Sequence, residues 1–285
     1  MKQQELLLRM RLCTAILPAT LKRMAMLLQQ KTQINKKQIF EVLQQPGTHP
    51  EQLWRQLFTD EIDRLLRLNL QNGSIITILD AAYPSQLREI YDPPAVLFYR
   101  GNWDLTHCSH LLGVVGSRKH SAYAPLAIKK LLTPLLARGL ITVSGLAAGV
   151  DQLAHSSSLA VAKPTIAVIG NGLNIFYPKT NQNLQQRIEQ NGLVISEYGI
   201  NERPLRYHFP ARNRIIAGLV PTLLVVEARH HSGSLITANS ALQENRNVLA
   251  VPGPINSLFS QGTNELIAAG AKPVLQPDDI WEEFL

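Results

Sequence analysis

Residues 140–170, LITVSGLAAGVDQLAHSSSLAVAKPTIAVIG, decide the fold. The stretch opens on an apolar, β-branched run (LITV, 140–143) and turns through Ser144-Gly145-Leu146-Ala147-Ala148-Gly149. A helical pattern follows over 150–162, and a second apolar run, TIAVI, closes the stretch at 165–169. Two short continuous apolar runs joined by one helix describe parallel strands buried on both faces. The rhythm extends in both directions. Further runs stand at 111–115 (LLGVV), 193–195 (LVI), 222–226 (TLLVV), 247–251 (NVLAV) and 272–275 (KPVL). Helical segments fall between them, near 123–138, 181–191, 212–219, 235–245 and 263–269. The pattern predicts a doubly wound α/β domain with a mostly parallel sheet over 111–285.

Upstream, residues 75–110 read as a connector leading into the sheet, with short strand runs at Ile75–Leu79 and Val96–Tyr99 and turns at Tyr83-Pro84 and Asp92-Pro93-Pro94. Residues 1–74 read as a small all-helical domain. Leu6, Leu7, Met10 and Cys13 keep helical spacing, as do Leu21, Met24, Leu27 and Leu28. Further helices are expected at Lys36–Leu43 and over Glu51–Asn69, where Leu53, Leu57, Ile62, Leu65 and Leu66 line up. Such a unit serves either as a docking or DNA-backbone module or as a packing domain without a ligand.

Composition narrows the function classes. With 285 residues, 45% apolar and 17% charged, the chain buries a substantial core and is not disordered. Cys13 and Cys108 alone make neither a disulfide scaffold nor a cysteine zinc site, and no metal is expected. No apolar run reaches the ~18–20 residues of a membrane span. Lys2, Glu5, Arg9 and Arg11 interrupt the N-terminus, so no secretory signal is read there. A cytoplasmic protein without a membrane partner is expected. The net charge of +7 favours a polyanionic partner such as nucleic acid.

In doubly wound folds ligands bind beyond the carboxyl ends of the strands. Those ends read Gly116-Ser117-Arg118-Lys119, Ser144-Gly145, Gly170-Asn171-Gly172 with Tyr177-Pro178-Lys179, Ser196-Glu197-Tyr198-Gly199, Glu227-Ala228 with Ser232-Gly233-Ser234, and Pro252-Gly253. Small residues feeding helix starts expose backbone amides to anionic oxygens, and several in register form an anion-binding rim. The dinucleotide fingerprint fails, because Gly170 and Gly172 are followed by Ile175 where a third glycine belongs. The phosphate loop ending in Gly-Lys-Ser/Thr is absent as well, which disfavours hydride transfer and nucleotide hydrolysis.

The segment PLRYHFPARNR, 204–214, places Arg206, Arg212 and Arg214 around Tyr207, His208 and Phe209. Cations alternating with rings are how unpaired strands are held, guanidinium groups on phosphates and rings under bases. Alternatively, Phe209-Pro210 plugs the core and the arginines cap neighbouring helices. Asp151 reads as a helix N-cap and His155 as a locally hydrogen-bonded residue. Glu197 and Glu227 stand where they orient arginines across the rim, and His230-His231 reads as a solvated loop. No Ser/His/Asp or Cys/His catalytic trio is legible.

Together these segments resemble the bacterial DNA-processing protein family DprA, also called Smf. The matching stretches are VGSR (115–118), SGLAAGVDQLAH (144–155), TIAVIGNGLNIFYP (165–178), ISEYG (195–199), FPARNRIIAGL (209–219), VVEA (225–228), SGSLITA (232–238), VPGPI (251–255) and QGTNELIAAGA (261–271). YPSQLREIYDPPAVLFYRG (83–101) resembles the family's lead-in. Ala124 departs from the glycine common in the family after Ser-x-Tyr, which softens a turn.

The resemblance implies an extended Rossmann-like sheet domain preceded by a small helical domain of sterile-alpha-motif type. It implies a non-catalytic, cofactor-free protein that binds and protects single-stranded DNA, helps load the RecA recombinase during natural transformation, and forms a homodimer. Some relatives carry a winged-helix domain after the sheet domain, which this chain is expected to lack. The resemblance places Arg118 on a phosphate beside Gly116 and Ser117, makes Arg206 a DNA-contacting cation, and makes Phe209 the stacking ring. Arg212 and Arg214 border or brace the groove, Gly233, Ser234 and Thr237 form a phosphate-binding helix start, and Lys179 stands on the same rim. Leu266 and Ile267 are implied at the dimer interface, although a buried core face explains them equally well. Two alternatives remain: a nucleotide-binding sensor, and an enzyme resembling the nucleoside-monophosphate phosphoribohydrolases. The second group places Pro-Gly-Gly directly before Gly-Thr, whereas here nine residues separate Gly253 from Thr263.

Overall fold

Unbroken apolar runs become strands buried on both faces, and along 111–115, 222–226 and 247–251 alternate residues feed two separate cores. The computed structural model describes residues 2–31 and 33–285. Five helices come first: α1 (Gln3–Leu12), α2 (Pro18–Gln30), α3 (Lys36–Val42), α4 (Pro50–Gln56) and α5 (Asp60–Asn72). Strand β1 (Ser74–Thr77), the short helix α6 (Ser85–Arg88) and β2 (Val96–Gly101) follow. The winding part then runs β3 (Leu111–Val115), α7 (Tyr123–Ala137), β4 (Ile141–Ser144), α8 (Val150–Ala160), β5 (Thr165–Ile169), α9 (Gln182–Asn191) and β6 (Leu193–Ser196). It continues with α10 (His208–Leu219), β7 (Thr222–Val225), α11 (Gly233–Gln243), β8 (Asn247–Ala250), α12 (Gln261–Ala268), β9 (Lys272–Pro273) and α13 (Asp278–Trp281).

One nine-stranded sheet has the order β1-β2-β6-β5-β4-β3-β7-β8-β9. From β6 to β9 every pair is parallel, and only β1–β2 and β2–β6 are antiparallel. The mostly parallel doubly wound sheet is therefore as the sequence predicts. The stretch 75–110 does more than lead into it, since β1 and β2 form the sheet's edge. The strand order reverses between β3 and β7, which opens a crevice at their carboxyl ends.

Leu112, Val114, Leu224, Val226, Leu249 and Val251 point into the core beneath α7. Their alternates Leu111, Val115, Leu223, Val225 and Val248 point into the opposite core, with Ile215, Ile216 and Leu219 of α10. The second core also takes Leu6, Leu7, Leu8, Met10 and Leu12 of α1 together with Ile76 and Phe98 of the sheet edge. Polar ties reinforce this packing. Arg11 donates to the Glu197 carbonyl at 2.7 Å and to the Glu202 carboxylate at 3.0 Å, and the Ile200 amide donates to Asn69 Oδ1 at 2.8 Å.

The single helix expected over Glu51–Asn69 is two. α4 stops at Gln56, and Thr59 caps α5 by accepting the Ile62 amide on its hydroxyl at 3.5 Å. The apolar spacing runs through the break because Leu53 of α4, Leu57 of the turn and Ile62 of α5 are buried in one core. Among the described residues no helix is long and apolar enough to cross a membrane.

His155 on α8 is buried and its Nδ1 is hydrogen-bonded to the Thr165 hydroxyl at 2.7 Å, while Thr165 in turn meets Thr142 and Thr142 meets Ser158. The local hydrogen bond read from the sequence is present. His155 Nε2 is buried without a partner, and burial, aided by the Arg212 charge, lowers the imidazole pKa to about 3. The unfolded chain, with an ordinary histidine near 6.5, binds the proton first as pH falls. Stability from the neutral ring is thus complete above pH ~6.5 and decreases toward pH 3, by roughly 4 kcal/mol. Urea unfolding of wild type and His155→Gln across that window should show the wild type losing more stability. Parallel profiles would refute this account.

Candidate nucleic-acid interface

Each strand end at the crevice is locked before it reaches the surface. After β3, the Ser117 amide donates to the Glu227 carbonyl at 2.8 Å, joining the loops that follow β3 and β7. The buried Glu227 carboxylate accepts the Ser121 amide at 2.9 Å and the Ser121 hydroxyl at 2.5 Å. It therefore orders the loop after β3 and orients no arginine, unlike the sequence expectation. Gly149, at φ +84°, lets the loop after β4 pass so close that a Cβ would strike the carbonyl oxygens of Ser117 and Arg118.

Asp151 is not an N-cap. That position belongs to Gly149, and the Asp151 carboxylate turns back to accept the amides of Gly145 at 3.1 Å and Ala147 at 3.4 Å. Burial raises its pKa, and the Arg212 charge pulls it back down. Arg212 is buried too, and donates to the carbonyls of Gly145 at 2.5 Å and of Val168. One guanidinium thus ties the ends of β4 and β5 to α10.

The aromatic segment sits where α10 begins. The Tyr198 ring stacks on His208 at 3.8 Å, and the Tyr198 hydroxyl donates to the His208 carbonyl at 3.3 Å. Burial lowers the His208 pKa, against the opposing charge of Glu202 3.8 Å away. Phe209, the next residue, is half-buried. Its ring lies 5.3 Å from Tyr177, and the Arg118 guanidinium stands 5.5 Å from its centroid. Gly170 lies beneath it, where a Cβ would come within 3.1 Å of the ring.

These groups line a cavity of about 670 Å³ at the β3–β7 crevice. Gly116, Ser117, Arg118 and Lys119 come from the β3 end, Arg206, Phe209 and Arg212 from the entry to α10, and Arg229, Ser232, Gly233, Ser234, Ile236 and Thr237 from the β7 end. An inner recess of about 200 Å³ opens between Tyr177, Pro178, Phe209, Gly170 and Asn171. Among the described residues, the exposed cations Arg118, Lys119, Arg206 and Arg229 form no ion pair, whereas the buried Arg9 and the part-buried Arg11 and Arg214 each do. The cavity therefore presents uncompensated positive charge beside a ring.

Nine of the sequence-predicted residues meet here: Gly116, Ser117, Arg118, Arg206, Phe209, Arg212, Gly233, Ser234 and Thr237. Arg214 does not. Two positions along a helix rotate the side chain by about 200°, so Arg212 faces the cavity and Arg214 faces away. Arg214 places Nη2 2.7 Å from each Glu197 oxygen and Nε 3.2 Å from Asp92. Glu197 thus orients an arginine, on the side away from the cavity. Lys179 is exposed just after Pro178 but lies outside the lining. Leu266 and Ile267 are half-exposed on α12, and Leu266 packs partly on the core. Lys119, Tyr177, Arg229 and Ile236 join the lining without having been singled out as contacts, although Tyr177 and Lys119 stand in strand-end segments the sequence marks.

The family model described as DNA recombination-mediator protein A matches residues 74–285. The DNA processing protein DprA of Streptococcus pneumoniae is 47% identical over 222 residues, 78% of this chain and 78% of that protein. Protein Smf of Escherichia coli is 43% identical over 218 residues, 76% of this chain and 58% of that protein. The X-ray structure of DprA from Streptococcus pneumoniae superposes with a TM-score of 0.90 at 39% identity, covering 100% of this chain and 99% of that one. A structure of DNA processing protein A from Helicobacter pylori, described for its single-stranded DNA binding mode, has a TM-score of 0.66 at 29% identity, covering 75% of this chain and 95% of that one.

Proposed function

The chain belongs to the DprA/Smf family of DNA recombination mediators, and from this premise we propose that it binds single-stranded DNA in the crevice between β3 and β7. The observation that carries the proposal is the set of unpaired cations around Phe209 in one cavity. Phosphates meet Arg118, Arg206 and the amides of Gly116 and Ser117, and an unpaired base stacks on Phe209. Gly233, Ser234 and Thr237 offer a helix start whose first turn has no side-chain cap, and Lys179 extends the rim. Arg212 and Arg214 act as braces. The Helicobacter pylori relative's single-stranded DNA binding mode supports the choice of ligand.

In this reading the protein is cytoplasmic and non-catalytic. It protects single strands and helps load RecA onto them during natural transformation, as a homodimer joined through Leu266 and Ile267 of α12. The carboxylates nearest the cavity fit a binding role, since Asp151 and Glu227 are already engaged by backbone amides. A gel-shift comparison of single-stranded and duplex DNA of equal length, with nucleoside monophosphates as competitors, tests the reading. Single strands should win over duplex, and monophosphates should compete poorly. Efficient competition by a monophosphate would favour a nucleotide sensor instead.

Arg118→Ala separates charge from stacking. Because Arg118 is exposed, the variant should melt like wild type while single-strand affinity decreases severalfold at low salt. The slope of log affinity against log salt should shrink by about 0.7, the share of one phosphate on a single strand. An unchanged slope would remove Arg118 from the phosphate path.

A further inference from the structure

The two strands flanking the crevice end alike. Val114-Val115-Gly116-Ser117-Arg118 and Val225-Val226-Glu227-Ala228-Arg229 both read Val-Val-x-x-Arg. β3 and β7 are paired neighbours with Val115 opposite Val225, so the two motifs emerge side by side. Each brings an exposed arginine to the same cavity, and each arginine rests over a half-buried phenylalanine. Arg118 stands 5.5 Å from the Phe209 centroid and Arg229 stands 4.8 Å from that of Phe259. Phe209 belongs to α10 and lines the cavity, whereas Phe259 belongs to the loop before α12 and lies under Arg229 outside the lining.

The second pair is firmly placed. The Ala228 amide donates to the Phe259 carbonyl at 2.8 Å, and the Gly262 amide donates to the Ala228 carbonyl at 2.8 Å. Ile236, 47% exposed, adds apolar surface to the same wall. The nearby acids leave Arg229 uncompensated: Glu227 is turned to Ser121, and Glu265 pairs with His230 at 2.8 Å. A guanidinium seated on a ring keeps its outer face and N–H groups available to a base or a phosphate.

We propose that Arg229, Phe259 and Ile236 form a second station for single-stranded DNA, which takes the nucleotides that continue past Arg118 and Phe209. This rests on the single-strand reading of the cavity. The strand then crosses the switch point from the α10 side to the α12 side. Short oligonucleotides fill only the first station, which has the deeper recess and the extra cation Arg206, and longer ones engage both.

Fluorescence anisotropy with labelled oligothymidylates of about 4 and about 16 nucleotides tests this on wild type, Arg118→Ala and Arg229→Ala. Arg118→Ala should weaken both lengths. Arg229→Ala should leave the shorter oligonucleotide within about twofold of wild type and weaken the longer by at least about fivefold, with the salt slope lower by about 0.7. Arg229→Lys should recover the slope but only part of the affinity, because ammonium restores charge without the planar stacking face. Wild-type binding of the longer oligonucleotide by Arg229→Ala, with Arg118→Ala impaired, overturns the second station and leaves the first. Equal losses at both lengths for Arg229→Ala overturn it too, since the two stations would then be one. Wild-type binding by both variants removes the groove itself.

Discussion

Phe209→Ala is expected to weaken single-strand binding by roughly 5- to 150-fold, the ~1–3 kcal/mol that stacking of one base contributes. The ring is placed for this role by three contacts. Tyr177 flanks it at 5.3 Å, Gly170 leaves room beneath it, and the stacked Tyr198–His208 pair fixes the start of α10. Phe209→Tyr should retain most of the affinity, and Phe209→Leu should retain the packing but not the stacking. The salt slope should stay at the wild-type value in all three, in contrast to Arg118→Ala. An anisotropy titration in which Phe209→Leu binds like wild type would show that the ring serves the fold alone.

The second large effect falls on stability. Arg212→Met is expected to cost more than about 3 kcal/mol of unfolding free energy. Its guanidinium donates to the carbonyls of Gly145 and Val168, and both lose their partner inside a packed interior. Methionine replaces the stem but supplies no donor. Urea unfolding followed by circular dichroism measures the loss, and a variant within about 1 kcal/mol of wild type would contradict the bracing role. Arg118→Ala, treated identically, should be nearly neutral. The two arginines line one cavity, yet one is an internal tie and the other is open to solvent.

The strands were legible because burial on both faces leaves unbroken apolar runs. The expected runs at 111–115 and 165–169 coincide with β3 and β5, and the others differ from the observed strands by a few residues. Starts and breaks were harder. α10 begins at His208 rather than near 212, because Pro210 sits in the first turn, where its missing amide hydrogen costs no helical bond. β1 and β2 read as strands of a connector rather than of the sheet, since β2 joins it by antiparallel pairing with β6, a partner distant in sequence. At the site, Arg118 and Phe209 were legible from strand-end position and alternation of charge with rings. The orientation of Arg214 was not, because its partners Glu197 and Asp92 are distant in sequence. Arg229 was passed over because its contact with Phe259 depends on how the loop before α12 folds back.

The seam near residue 74 is visible along the chain but absent from the packing. Leu6, Leu7 and Met10 share one oily interior with Ile76 and Phe98, and Arg11 grips the 197–202 turn whose Glu202 faces His208. A protein shortened to begin at residue 74 would bare that interior and free the turn that faces His208, the neighbour of the stacking ring. Truncation is therefore no neutral control. Diminished affinity in such a fragment would report a slackened groove before it reported any DNA touched by the first five helices.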